Sequence, residues 1–311
     1  PENPDKYQPI VLEQQLIQAG KRVPVLVLLS MSTLPEIRAV IFDLDGTLLD
    51  TEPLSTLAAN LHLKAFDKQI DAKIKSQIIG MRDQDWADFV LSALQLQADV
   101  SVDTLLSAWE TNMEKLLPTV KKLPGVKAMC DGLASRSVLQ GVATSSKQAQ
   151  VQLKRKQHDD IFSRFRVVVT GDDKELTKGK PAPDIFLLAA KRLEIEPEHC
   201  LAFEDSPAGV RAAVAAGMHV IAVPDANSAD LSKFKAIEKE IASSNSSDSK
   251  EAKSSLRFQI LPSMEKFEFE DWAFLPCLDL LQPDLTSERT STEDADTSCS
   301  IEPADRKRQK L

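Results

Sequence analysis

The sequence predicts a doubly wound, parallel α/β sheet interrupted by one all-helical insert. Three observations carry that prediction. The stretch "RAVIFDLDG" is a continuous apolar run ending in acids and a glycine, as expected of a strand inside a parallel sheet. From residue 126 onward, strand-like runs alternate with helical stretches, and repeated βα units imply right-handed crossovers onto one sheet. Between Thr51 and Thr119 the apolar residues instead recur at helical spacing, as in "DWADFVLSALQL" and "VDTLLSAWETNMEKLL", with almost no strand candidates.

In chain order, residues 1–30 precede Met31, which is the expected biological start. The acids Glu2, Asp5 and Glu13 disfavour a transit peptide, so this segment reads as an unstructured extension. Residues 31–50 and 120–276 are expected to form the core, with 51–119 as a helical cap. "KKLPGV" at 121–126 closes the insert with proline and glycine. "VLQGVATSS", "FRVVVTGDD", "HCLAFEDS" and "HVIAVPD" are the strands expected to follow. The polar stretch "SSNSSDSKEAKSS" at 243–255 reads as a flexible insert, and "RFQILPSMEKFEFEDWAFLP" as a last edge strand with a closing helix. Residues 277–311 read as a disordered acidic tail, whose basic end "DRKRQKL" offers a nuclear-import patch.

Composition narrows the function. A chain of 311 residues, 42% of them hydrophobic, can bury a sizeable core. Its net charge of -9 argues against non-specific nucleic-acid binding, which needs a basic face. The apolar run "VPVLVLLS" at 23–30 falls well short of the ~20 residues that span a bilayer. Cys130, Cys200, Cys277 and Cys299 lack metal-site spacing and read as reduced thiols. A cytoplasmic monomer without nucleic-acid or membrane partners is the expectation.

Four polar clusters stand at the carboxyl ends of the expected strands, the edge where open α/β sheets bind ligands: Asp43 and Asp45; Thr144, Ser145 and Ser146; Asp172 and Asp173; Glu204 and Asp205. Asp43 and Asp45 are two residues apart, so they leave an extended strand on the same side. Crowded with Glu204 and Asp205, they call for a compensating cation. Oxygen donors without His or Cys select a hard ion, and a site that also holds phosphate favours Mg²⁺. Hydroxyls and backbone N–H groups in "ATSSKQ" suit phosphate oxygens, and Lys180 in "GKPAPDIF" can neutralise a carboxylate and a phosphoryl group together.

"DLDGT", "ATSS", "GKPAPDIF" and "FEDSPAGVRAAVAAG", in this order, resemble the four motifs of the haloacid dehalogenase-like superfamily, in the branch of phosphatases and β-phosphoglucomutase. Within that branch the stretch from "GDD" to "VIAVPD" is similar to pseudouridine-5'-phosphatases and related sugar- or polyol-phosphate phosphatases. The resemblance implies a Rossmann-like core and a small phosphorylated metabolite as partner. It further implies Asp43 as nucleophile and Asp45 as acid and base. Thr144, Ser145 and Lys180 would hold the phosphoryl group, and Asp43, the Asp45 carbonyl, Glu204 and Asp205 would surround Mg²⁺. Among cap residues Arg82 is the favoured substrate contact, ahead of Glu52 and Lys75. A phosphosugar mutase is the alternative, disfavoured because Ser55 stands where such mutases carry His. A non-catalytic binding protein is disfavoured by the intact set of acids.

Overall fold

The computed structural model describes residues 34–78, 81–225, 230–245 and 256–277. Among the described residues six strands build the main sheet: β1 (Ala39–Phe42), β2 (Leu139–Ala143), β3 (Val167–Val169), β4 (Cys200–Glu204), β5 (His219–Ala222) and β6 (Phe258–Ile260). They are all parallel, in the order β3-β2-β1-β4-β5-β6. That order reverses direction between β1 and β4, where a doubly wound sheet opens its ligand crevice.

Every residue of β1, β2, β4 and β5 is buried, because helices cover both faces. Ala39 and Ile41 share one apolar cluster with α7 (Asp184–Leu193), α8 (Pro207–Ala215) and α9 (Leu231–Asn245). Val40 and Phe42 point the other way, into a cluster with α5 (Val126–Ser135), α6 (Gln148–Arg155) and the chain around Phe267 and Trp272. The two-residue period of a strand and two helical layers together require a strand without polar interruptions.

Among the described residues the insert carries four α-helices, α1 (Glu52–Leu63), α2 (Ala72–Ile78), α3 (Asp83–Leu94) and α4 (Val102–Leu116). Ala59, Leu63, Ala87, Val90, Leu91 and Leu105 form their common core. Ser101 caps α4 by accepting from Thr104 N at 3.1 Å, and Trp109 Nε1 donates to Ser55 O at 3.2 Å. Both crossings between insert and core lie side by side, since Leu49–Asp50 pairs antiparallel with Lys121–Lys122.

Three expectations need correction or limits. The C-terminal segment makes β6 but no closing helix. Two short 3₁₀ turns, Met264–Lys266 and Phe269–Asp271, take its place, followed by Ala273–Phe274 pairing parallel with Glu36–Ile37. Rings at 267, 269, 272 and 274 do not share one helical face. They pack together instead, with Arg136 over Phe269 at 4.1 Å and Arg257 over Trp272 at 4.6 Å. The polar insert expected from 243 begins later, because α9 runs to Asn245. The tail expected from 277 loses its first residue to the fold, where Cys277 N donates to Ser137 O at 2.8 Å. The N-terminal extension, Met31, the rest of the polar insert and the basic end lie outside the described residues.

Candidate active site

The site forms at the carboxyl end of β1 and its neighbours. Asp43 continues the ladder by donating its N–H to Phe203 O at 2.9 Å, and Gly46 then turns the chain with φ +82. A Cβ at Gly46 would lie 2.2 Å from Asp205 Oδ2, so glycine serves both the left-handed turn and the close approach of that carboxylate. Thr47 Oγ1 donates to Asp205 Oδ1 at 3.2 Å.

Glu204, the last residue of β4, is fully enclosed. Ser206 N and Oγ donate to its Oε2 at 2.9 and 3.0 Å, and Ser206 Oγ accepts from Gly209 N to cap α8. A Cβ at Gly209 would stand 1.5 Å from Glu204 Oε1. Gly209→Ala is therefore expected to destabilise the chain by about 2–3 kcal/mol, read as a lower urea midpoint, because a carboxylate pinned on both oxygens has nowhere to retreat.

Lys180 joins these acids. Its Nζ lies 2.5 Å from Asp43 Oδ1, 2.7 Å from Glu204 Oε1 and 3.0 Å from Ala143 O, with the side chain 7% exposed. Burial alone would lower the Lys180 pKa, but the Asp43 and Glu204 carboxylates raise it above the ordinary lysine range. Burial pushes Asp43 up to about 7 against the pull of Lys180, with repulsion from Glu204 and Asp45 adding to the rise. Asp205 is raised well above the usual carboxylate range by burial and by repulsion from Glu204 and Asp43.

A second group surrounds Asp45. Ser146 Oγ donates to Asp45 Oδ2 at 2.7 Å, Lys154 Nζ lies 2.7 Å from the carboxylate, and Thr144 Oγ1 stands 3.5 Å from Oδ2. Thr144 is buried and accepts from Ser146 N at 3.1 Å, while Ser145 is exposed on the same loop.

Two expected contributors lie elsewhere. Asp172 accepts from Thr170 Oγ1 at 2.8 Å and Gln148 N at 2.9 Å, and Asp173 is held by Arg192 at 2.6 and 2.9 Å. These acids tie loops together. Arg82 is 88% exposed and paired with Asp85 at 2.8 Å, away from the clustered acids. Glu52 and Lys75, 3.7 Å apart, line a cleft of about 510 Å³ that also touches Gly46, Thr47 and Asp50. Lys154, absent from the sequence expectations, signals itself only by a 3% exposed side chain deep in a polar pairing.

A model of haloacid dehalogenase-like hydrolases matches residues 40–223, more than half of the chain. The chain belongs to this family. Relatives of this haloacid dehalogenase-like hydrolase include a Drosophila melanogaster protein named probable pseudouridine-5'-phosphatase, 41% identical over 188 residues that cover 60% of this chain and 80% of that one. (DL)-glycerol-3-phosphatase 2 of Arabidopsis thaliana is 36% identical over 189 residues, 60% of this chain and 79% of that protein. Among solved structures, a hydrolase of this family from Deinococcus radiodurans R1 superposes with TM-score 0.55 at 24% identity, covering 75% of this chain and 93% of that one, a likeness of fold.

The donor set also bears on metal binding by this hydrolase. Among the described residues, no three His, Cys, Asp or Glu side chains converge in a ready metal geometry; Asp43 and Glu204 turn to Lys180, and Asp205 to Thr47. Yet Asp43, Glu204 and Asp205 are three enclosed carboxylates against the one ammonium of Lys180. Burial, and after it repulsion from the neighbouring carboxylates, raises Asp43 and Asp205 above the usual carboxylate range. Oxygen donors with uncompensated charge fit a small hard cation.

Proposed function

We propose that this chain hydrolyses a small phosphomonoester through an aspartyl-phosphate on Asp43. The observation carrying this reading is the pairing of Asp43 with Lys180, next to an independently held Asp45. A carboxylate attacking an anionic phosphate needs positive charge beside both, and Lys180 supplies it from a buried, fixed position. An Asp43 oxygen attacks phosphorus as the P–O ester bond breaks, and Asp45 gives its proton to the departing alcohol. Asp45 then takes a proton from water as that water attacks phosphorus and releases inorganic phosphate from Asp43. Thr144, whose Oγ1 stands 3.5 Å from Asp45 Oδ2, and Ser145, exposed on the same loop, are the candidates to receive phosphoryl oxygens.

Asp43, the Asp45 carbonyl, Asp205 and Glu204 are the residues that would hold Mg²⁺. When bound, the ion supplies the charge that lets two anions meet. Glu52 and Lys75 from the cap line the cleft and are the better candidates for contacting the alcohol portion, replacing Arg82. The sugar- and polyol-phosphate phosphatases named among the relatives support esters such as pseudouridine 5'-phosphate or glycerol 3-phosphate. Ser55 engages Trp109 Nε1 at 3.2 Å, and a hydroxyl there lacks the base that the mutase reading requires.

Phosphate release from a panel of nucleoside, sugar and polyol monophosphates, with Mg²⁺ and with EDTA, tests the proposal. Release that depends on Mg²⁺ and is strongest for one class is expected. Isomerisation of β-glucose 1-phosphate to glucose 6-phosphate without free phosphate would refute it.

A further inference from the structure

We infer that Lys154 is a positioning residue for Asp45, fixing its carboxylate for proton transfer to the leaving alcohol; this rests on the phosphatase reading above. Lys154 lies in the last turn of α6, the helix that follows the Thr144–Ser146 loop, and its side chain is 3% exposed. A lysine so enclosed is tolerated only with a partner for its charge. Its Nζ stands 2.7 Å from the Asp45 carboxylate and 2.6 Å from Ser146 Oγ, and Ser146 Oγ stands 2.7 Å from Asp45 Oδ2. The three groups close a triangle, so neither Asp45 nor Ser146 can rotate without breaking two contacts.

That rigidity matters because Asp45 acts twice, first on the leaving oxygen and then on water, at sites a proton's reach apart. Lys154 is separate from the Lys180 cluster and touches neither Asp43 nor Glu204 among its hydrogen bonds. Its neighbour Leu153 packs against the cluster of Ala58, Met113 and Leu117 from the insert, so the turn that holds Asp45 is also braced against the insert. A purely structural ion pair would explain the burial equally well, and the chemistry of the leaving group separates the two roles.

The test compares the unsubstituted protein, Lys154→Met, Lys154→Arg and Ser146→Ala on para-nitrophenyl phosphate, whose phenolate departs without a proton, and on an alkyl ester such as glycerol 3-phosphate, whose alkoxide needs one. Lys154→Met is expected to lower kcat/KM, which reports the step that expels the alcohol and not the later hydrolysis common to both esters, by about 100-fold on the alkyl ester and by less than about threefold on the nitrophenyl ester. Ser146→Ala should show the same asymmetry in weaker form, and Lys154→Arg should restore part of the loss. An equal loss on both esters, or none on either, overturns the inference. If Lys154→Met fails to fold by circular dichroism, the Ser146→Ala asymmetry decides alone. Absence of turnover on every ester by the unsubstituted protein overturns the phosphatase reading, and the inference with it.

Discussion

Asp43→Asn is expected to lower phosphomonoester turnover by about 10⁴-fold or more while making the chain more stable. The amide cannot attack phosphorus, yet it keeps the shape of the carboxylate. It also removes one of the three enclosed negative charges around Lys180, leaving that lysine paired with Glu204 at 2.7 Å. The sign of the stability change follows from linkage. Asp43 has its folded pKa raised from 3.8 to about 7, so its contribution is fully present at low pH and is lost as pH rises through 7. In metal-free buffer the unsubstituted protein should therefore lose stability between pH 4 and 7 by an amount on the order of a few kcal/mol that the Asn variant does not lose. Urea midpoints across that window, with phosphate release measured in parallel, report both effects. Turnover retained by the variant would take the nucleophile's role from Asp43.

Lys180→Met is expected to damage both fold and chemistry. The substitution keeps the length of the stem and deletes the ammonium that bonds Asp43, Glu204 and Ala143 O. Removing one partner from a buried ionic cluster costs about 3–5 kcal/mol, because the remaining charges stay enclosed. Lowering the pH should return part of that loss, since protonation then neutralises the stranded carboxylates. Turnover should fall by about 10³-fold even under conditions where the variant is folded, as the fixed positive charge beside the phosphoryl group is gone. A Lys180→Met protein with the original melting temperature at neutral pH would mean that the cluster is held by something other than this ammonium.

Much of this architecture is legible in the chain because a doubly wound sheet writes itself locally. Strands buried on both faces must be continuous runs such as "AVIF" and "CLAFE", and ligand-facing residues must come directly after them. Asp43 and Thr144 come directly after their strands, and Glu204 is the last residue of its own. Asp172 and Asp173 obey the same local pattern and yet serve loops, since an acid after a strand is equally suited to accept backbone and hydroxyl hydrogens. Lys154 shows the opposite failure. It sits 109 residues from Asp45 in the last turn of a polar helix, and only the packing of α6 in the fold aims its ammonium at the site. Arg82, the expected cap contact, is instead satisfied locally by Asp85 three residues on. The aromatic segment after 266 has no periodicity that declares its two tight turns, because its rings follow the shape of the sheet face rather than a helix.

The pairing of Leu49–Asp50 with Lys121–Lys122 makes the whole helical insert, topologically, one long hairpin loop. Its ends stay hydrogen-bonded neighbours whatever lies between them, so exchange, shortening or enlargement of that loop leaves the register of the six-stranded sheet untouched. Closing a loop twice as long costs only about 0.6 kcal/mol more. The carboxylates and lysines at the sheet edge lie outside that loop, on both sides of it in the chain, and Glu52 and Lys75 lie within it. Descendants of such a chain can change which ester they admit while the machinery that breaks it stays as it was.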